Sequence, residues 1–215
     1  MAPDQTQPPD DLFDLVTHGR EERNIEYKAF MSWDSDPVKA KVVKACLAMS
    51  NIPDGGWLVF GEKEKDRGVF EAIGMSQEDA QSFNQDDIQA YVNEYADPHI
   101  EPKVYHRRYK FGNEERIFIL IRIPQFDQVP IICKKDGKEG LNKGTVYTRS
   151  RRMPESAPVR DQTEMREILD MAVDKQMRSF LTRMDGWGLL RAEGPPEDPD
   201  AAAFRSERKD LEEHE

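Results

Sequence analysis

The most constraining stretch of this chain is residues 36–61, where a helical pattern breaks at glycines and becomes an uninterrupted apolar run. Asp36-Pro37 supplies a helix N-cap and first position, and Val38, Val42, Cys46 and Met49 then recur at helical spacing through Ser50. Asn51–Gly56 ends the helix, and Trp57–Gly61 has no polar alternation at all, the signature of a strand buried on both faces.

The remaining elements fit around that strand. Asn24–Phe30 alternates, with Ile25 and Tyr27 on one face and Asn24, Glu26 and Lys28 on the other. Val69–Ala72 is expected to pair with the buried strand as a hairpin, and 76–95 to be helical with a break near Asn84-Gln85. Three further strands are expected at Lys103–Lys110, Arg116–Ile123 and Val129–Lys134, and a last one at Gly144–Arg149. Residues 11–18 read as a short amphipathic helix. Residues 159–183 read as one long helix with Met165, Ile168, Leu169, Ala172 and Met177 approximating its apolar face. The order predicts an α+β fold: a mixed, mainly antiparallel sheet of about six strands covered by helices, with a long C-terminal helix. The expected organisation is an acidic disordered tail over 1–11, a domain over 12–183 (core 12–157, helix 159–183) and a flexible acidic tail over 193–215.

Charge is unevenly spread. The formal net charge of −11 resides in the ends, with six acids against Arg20 in residues 1–22 and nine acids against three bases in 193–215. The body between them is neutral, and within it residues 134–152 carry seven bases (Lys134, Lys135, Lys138, Lys143, Arg149, Arg151, Arg152) against Asp136 and Glu139. A local positive field governs what docks there. Arg suits bidentate phosphate contact and an exposed Tyr147 would stack on a base, although a solvated loop with Tyr147 in the core fits the same residues. Lys103, His106, Arg107, Arg108 and Lys110 form a second basic strand. Cys46 and Cys133 lie in apolar surroundings without CxxC spacing and read as buried free thiols of a reducing compartment. With no apolar run near the roughly 18–20 residues of a membrane span and no signal-like start, a cytoplasmic protein without a membrane partner is expected.

Two acidic clusters carry the chemistry. Glu21 and Glu26, with Lys28, gather around the first strand, and Glu62, Glu64 and Asp66 follow Gly61. Carboxylates brought together by two strand ends favour a hard cation such as Mg2+ or Mn2+, which would polarise a phosphodiester. Ordinary solvated charge on an open sheet face explains the same spacing. Asn51 through Gly56 reads as a tight connection in which Asn51 caps the helix, and not as a phosphate loop, since no GxxxxGK motif is present. The four histidines are scattered, without metal or triad spacing.

Taken in order, these pieces resemble the Schlafen-type AlbA-like domain, also described as a divergent AAA-like domain. The resemblance lies in Glu21-x4-Glu26-Tyr27-Lys28, in Ala48-x-x-Asn51 with Gly55-Gly56, in the apolar strand reaching Gly61 and its acidic turn closed by Gly68, and in Pro130 followed by a basic loop and Tyr147-Thr148-Arg149. It covers about residues 12–157. The connection after Asn51 is longer than usual by about Pro53-Asp54, and the family's acid after a Gly-Val step is replaced by Glu62-Lys63-Glu64-Lys65-Asp66.

The resemblance implies a nucleic-acid-associated domain, and in animal Schlafens a metal-dependent endoribonuclease acting on structured RNA such as tRNA. Carried over by position, Glu21, Glu26 and Glu64 (Glu62 second) would hold Mg2+ or Mn2+ and Lys28 would neutralise developing charge. The 134–152 patch would position the backbone, RNA being favoured over DNA. A homodimer or a second Schlafen-like lobe would complete the cleft. The alternatives are a non-catalytic DNA- or RNA-binding module, possible in transcription control, and a protein-interaction domain whose acidic tails compete for the basic patch.

Overall fold

The computed structural model describes residues 11–29, 31–151 and 154–187. The chain divides into two compact units after Val173. Among the described residues, every strand lies in the first unit. The described part of the second is the continuation of the last helix, so the expected tails at 1–11 and 193–215 fall almost wholly outside the described residues.

In chain order the elements are α1 Asp11–His18, β1 Ile25–Lys28, α2 Asp36–Ser50, β2 Gly56–Phe60, β3 Glu62–Asp66, β4 Val69–Ala72, α3 Gln77–Gln81, α4 Gln85–Asn93, β5 Ala96–Asp97, β6 Lys103–Phe111, β7 Glu114–Ile123, β8 Ile132–Cys133, β9 Tyr147–Arg149, β10 Ser156–Pro158 and α5 Gln162–Gly186. The α+β class is as expected. The strands divide into a four-stranded sheet of order β1-β2-β7-β6 and three two-stranded pairs, β3-β4, β5-β8 and β9-β10. β1 runs parallel to β2, and the other ladders are antiparallel. A parallel pair requires a crossover, and α2 is that crossover.

The buried run is central, as its composition demands: β2 lies between β1 and β7. With both its edges taken, Val69–Ala72 pairs with β3 and not with β2. Gly61 makes this possible. It sits at φ +106°, and a Cβ there would meet the Phe118 ring at 2.8 Å, so the chain leaves the sheet at that point. The 76–95 helix breaks where the sequence indicates, Asn84 capping α4 by accepting from the backbone N–H groups of Asp86 and Asp87. α2 is capped one residue earlier than expected, at Ser35, with no side-chain cap bond.

Leu58, Phe60, Ile119, Ile121 and Ile123 pack one sheet face against α2, α4 and, through Ile168 and Ala172, the first half of α5. On the other face Ile25, Tyr27, Val59, Phe118 and Leu120 lie beneath Leu12, Phe13 and Val16 of α1 and Phe70 and Ala72 of the β3–β4 hairpin. Other elements thus pack on both faces of the sheet, on the α1 side over part of its extent. The expected apolar face of α5 is only partly enclosed, since Leu169 and Met177 are exposed. Cys46 and Cys133 are free and buried. No helix among the described residues is long and apolar enough to cross a membrane.

Asn51 does more than end α2. Its buried side-chain amide donates to the carbonyls of Ile131 (2.8 Å) and Tyr147 (3.0 Å), and its oxygen accepts from the Ile131 N–H (2.8 Å). It therefore pins α2 to two distant segments. Asn51→Ala leaves those backbone groups unpaired in the core, and chemical denaturation should show a loss of about 2–3 kcal/mol. A loss below about 0.5 kcal/mol would mean that water replaces the amide.

Candidate phosphodiester-binding site

Alternation along β1 sends Ile25 and Tyr27 toward α1 and sends Glu26 and Lys28 toward α2 and β9. Glu26 is nearly buried, at 9% exposure. One carboxylate oxygen pairs with Lys28 and the other with Arg149 of β9, whose side chain is fully buried. The same guanidinium donates to the Glu22 carbonyl (3.2 Å). An arginine taken out of water is tolerated only with such a partner, so the pair is a structural requirement of the site.

Glu21 enters from the turn before β1, its carboxylate accepting from the Tyr27 N–H at 3.4 Å. Burial raises its pKa, and the nearby Glu26 charge adds to the rise, against the opposing pull of Arg149 and Lys28. Glu21, Glu26 and Lys28 open onto a hollow of about 370 Å³. Its other walls are Lys41 and Lys44 of α2, Glu139 from the basic segment and Pro154–Ser156. Lys44 Nζ donates to the Glu139 carbonyl at 3.3 Å and lies 5.9 Å from the Tyr147 ring centre. Lys41 and Lys44 were not among the sequence candidates. The available signal was their three-residue spacing, which puts both on one side of a largely apolar helix.

The other candidates are dispersed. Glu64 stands on the exposed β3–β4 hairpin and accepts from the Gly68 N–H at 3.1 Å. Glu62, the first acid after Gly61, is fully buried, and neither of its carboxylate oxygens has a hydrogen-bond partner. Burial pushes its pKa up to about 8. Tyr147 is in the core and not on the surface: its hydroxyl donates to the Gly140 carbonyl (2.6 Å) and accepts from the Asn142 N–H (2.9 Å), closing the basic loop over its own ring. Arg149 is likewise withdrawn from solvent by Glu26. Lys134 and Lys143 are exposed, Lys135 pairs with Glu94 (2.5 Å) and Lys138 with Asp36 (2.6 Å). Arg151 pairs with Glu167 (2.9 Å), and Arg152 lies outside the described residues.

The donor set does not fit the three-carboxylate metal site expected from the resemblance. Both oxygens of Glu26 are in ion pairs, Glu64 is engaged by its own hairpin, and among the described residues no three Asp, Glu, His or Cys side chains converge as metal ligands.

The model of the family described as Schlafen, AlbA_2 matches residues 21–157, more than half of the chain. The chain belongs to the Schlafen AlbA_2 family. The matched segment starts at Glu21 and ends within β10, so every residue lining the hollow lies inside the Schlafen AlbA_2 portion, while α1 and α5 lie outside it. No curated protein matches the chain. Among solved structures, the DIP2311 protein of Corynebacterium diphtheriae is similar at 16% identity and a TM-score of 0.47, over 73% of this chain and 27% of that one. This chain thus spans about a quarter of that protein's length. The N-terminal domain of a Nitrosomonas europaea protein, described as ATP-dependent DNA helicase RecG-related, is similar at 20% identity and a TM-score of 0.39, over 71% of this chain and 94% of that one. Neither likeness is close enough to carry residues across.

Proposed function

We propose that this Schlafen AlbA_2 domain is a nucleic-acid-binding module that holds a phosphodiester in the hollow between β1 and α2. The observation that carries the reading is the convergence of Lys28, Lys41 and Lys44 on a hollow where both Glu26 oxygens are already paired, one with Lys28 and one with Arg149, and which Glu21, Glu139 and Glu155 also line. A phosphate entering the hollow meets ammonium groups on two rigid elements, β1 and α2. Lys41→Ala/Lys44→Ala removes charge from exposed or half-exposed positions without touching the core. Anisotropy with labelled tRNA should show about tenfold weaker binding and a salt dependence shallower by roughly two phosphate contacts. Unchanged affinity and slope would remove the reading.

Cleavage is the second reading, favoured by Glu21, a carboxyl with a raised pKa beside Lys28 and therefore suited to proton transfer. The Mg2+- or Mn2+-dependent endoribonuclease implied by the resemblance would further require Lys28 and Arg149 to release Glu26. Incubating tRNA with the protein in Mn2+ or in EDTA, with Glu21→Gln alongside, separates the readings. Cutting that needs Mn2+ and Glu21 makes the domain a nuclease. Tight binding with intact tRNA leaves it a binding module.

A further inference from the structure

Among the described residues, α1 and the β3–β4 hairpin pack on one end of the sheet face that lies under α1. There Phe13 packs against Tyr109 and Phe111 with ring centres 5.0 and 6.0 Å apart, and Phe70 of the hairpin packs 5.1 Å from Tyr27. Toward the other end the strand register sets Trp57 of β2, Arg122 of β7 and Lys103 of β6 side by side in one row. Tyr105 and Arg107 follow on the same face of β6. Trp57 and Tyr105 are half-buried, their ring centres 5.8 Å apart with planes at 44°. Arg122 lies 5.4 Å over the Trp57 ring and Arg107 lies 5.3 Å over the Tyr105 ring.

Two features distinguish this patch from a merely apolar surface. Arg122 is fixed by backbone: its guanidinium donates to the carbonyls of Asp54 (2.6 Å), Ile123 (2.8 Å) and Gly56 (3.0 Å), which orients it, and among the described residues no carboxylate pairs with its charge. The rows containing Trp57 and Tyr105 also hold Ile25, Tyr27, Val59, Leu120, Arg122 and Lys103, and no acid. Rings alternating with cations on a rigid sheet match a chain that alternates flat bases with phosphates. Base stacking on aromatic rings is sequence-tolerant and requires unpaired bases, which a duplex does not present.

We infer that this face is a stacking platform for single-stranded nucleic acid, Trp57 and Tyr105 receiving bases while Lys103, Arg107 and Arg122 meet the phosphates between them. The inference rests on the reading of the domain as a nucleic-acid binder, but it uses residues on the opposite face of the sheet from the hollow. It deepens that reading by specifying unpaired strands as part of what is bound.

The test measures anisotropy with labelled single-stranded RNA and DNA of one sequence and with the matching duplexes, for the parent chain, Tyr105→Leu, Tyr105→Phe, Lys103→Glu and Lys41→Ala/Lys44→Ala. Expected are about tenfold weaker single-strand binding in Tyr105→Leu, full retention in Tyr105→Phe, and a loss in Lys103→Glu, an exposed position where folding is not at issue. Duplex affinity should not change in either Tyr105 variant. Single-strand affinity unaffected by both Tyr105→Leu and Lys103→Glu overturns the platform, and if Lys41→Ala/Lys44→Ala still weakens binding, the hollow stands without it. Loss confined to the Tyr105 and Lys103 variants keeps the platform and removes the hollow.

Discussion

Glu26→Ala should destabilise the domain by about 3–5 kcal/mol, because it strands the Arg149 guanidinium in the core. Arg149 has no exposed side-chain surface, and its Nε already lacks a hydrogen-bond partner. Without the carboxylate it keeps only the Glu22 carbonyl and a 3.5 Å contact with the Ser156 hydroxyl. Urea denaturation should show the midpoint falling at unchanged slope. Glu26→Gln/Arg149→Met, which removes both charges together, should recover most of the loss. A Glu26→Ala midpoint within about 1 kcal/mol of the parent would mean that solvent reaches Arg149. The prediction also bears on function. Lost activity in a Glu26 variant is ambiguous between chemistry and unfolding, which makes Glu21, Lys41 and Lys44 the sounder positions for testing the hollow.

The pH profile of stability should be dominated by Glu62. A carboxyl whose pKa rises from 4.5 to about 8 on folding binds its proton more tightly in the native state. Its contribution is therefore fully present below pH 4.5, declines as pH rises toward 8 and is gone above it, a change on the order of 3–5 kcal/mol. Glu167 acts in the opposite direction. The hydrogen bond from Arg23, aided by Arg151, holds its carboxyl at about 2, so its contribution is present above pH 4.5 and is lost as pH falls toward 2. Together the two groups place the stability maximum on the acidic side of neutrality. Glu62→Met, which substitutes an apolar chain of similar reach, should gain several kcal/mol at pH 8.5 relative to the parent and little at pH 4.5. A parent whose stability is flat from pH 5 to 8, and unmoved by Glu62→Met, would show that water or a rearranged hairpin solvates the carboxylate.

Much of the fold was legible because it is written in short-range terms. The α2 period, its end at Asn51, the apolar β2 and the Asn84 break all express local sterics and hydrogen bonding, which act over a few residues. The grouping of Glu21, Glu26 and Lys28 was legible for the same reason, since one short strand and the turn before it place all three. Other features depend on what arrives from far along the chain. Val69–Ala72 reads as a partner for the apolar strand until β1 and β7 occupy both of its edges. Tyr147 reads equally as a surface or a core residue and Arg149 as a surface contact, until Asn142 and Gly140 close over the first and Glu26, 123 residues away in sequence, claims the second. Lys41 and Lys44 become part of a site only because Pro154–Ser156 and Glu139 are folded opposite them. Periodicity specifies which way a side chain points from its own backbone. Whether it then meets water, a counter-charge or a closed core depends on long-range packing, where the cost of burying an unpaired charge selects the partner.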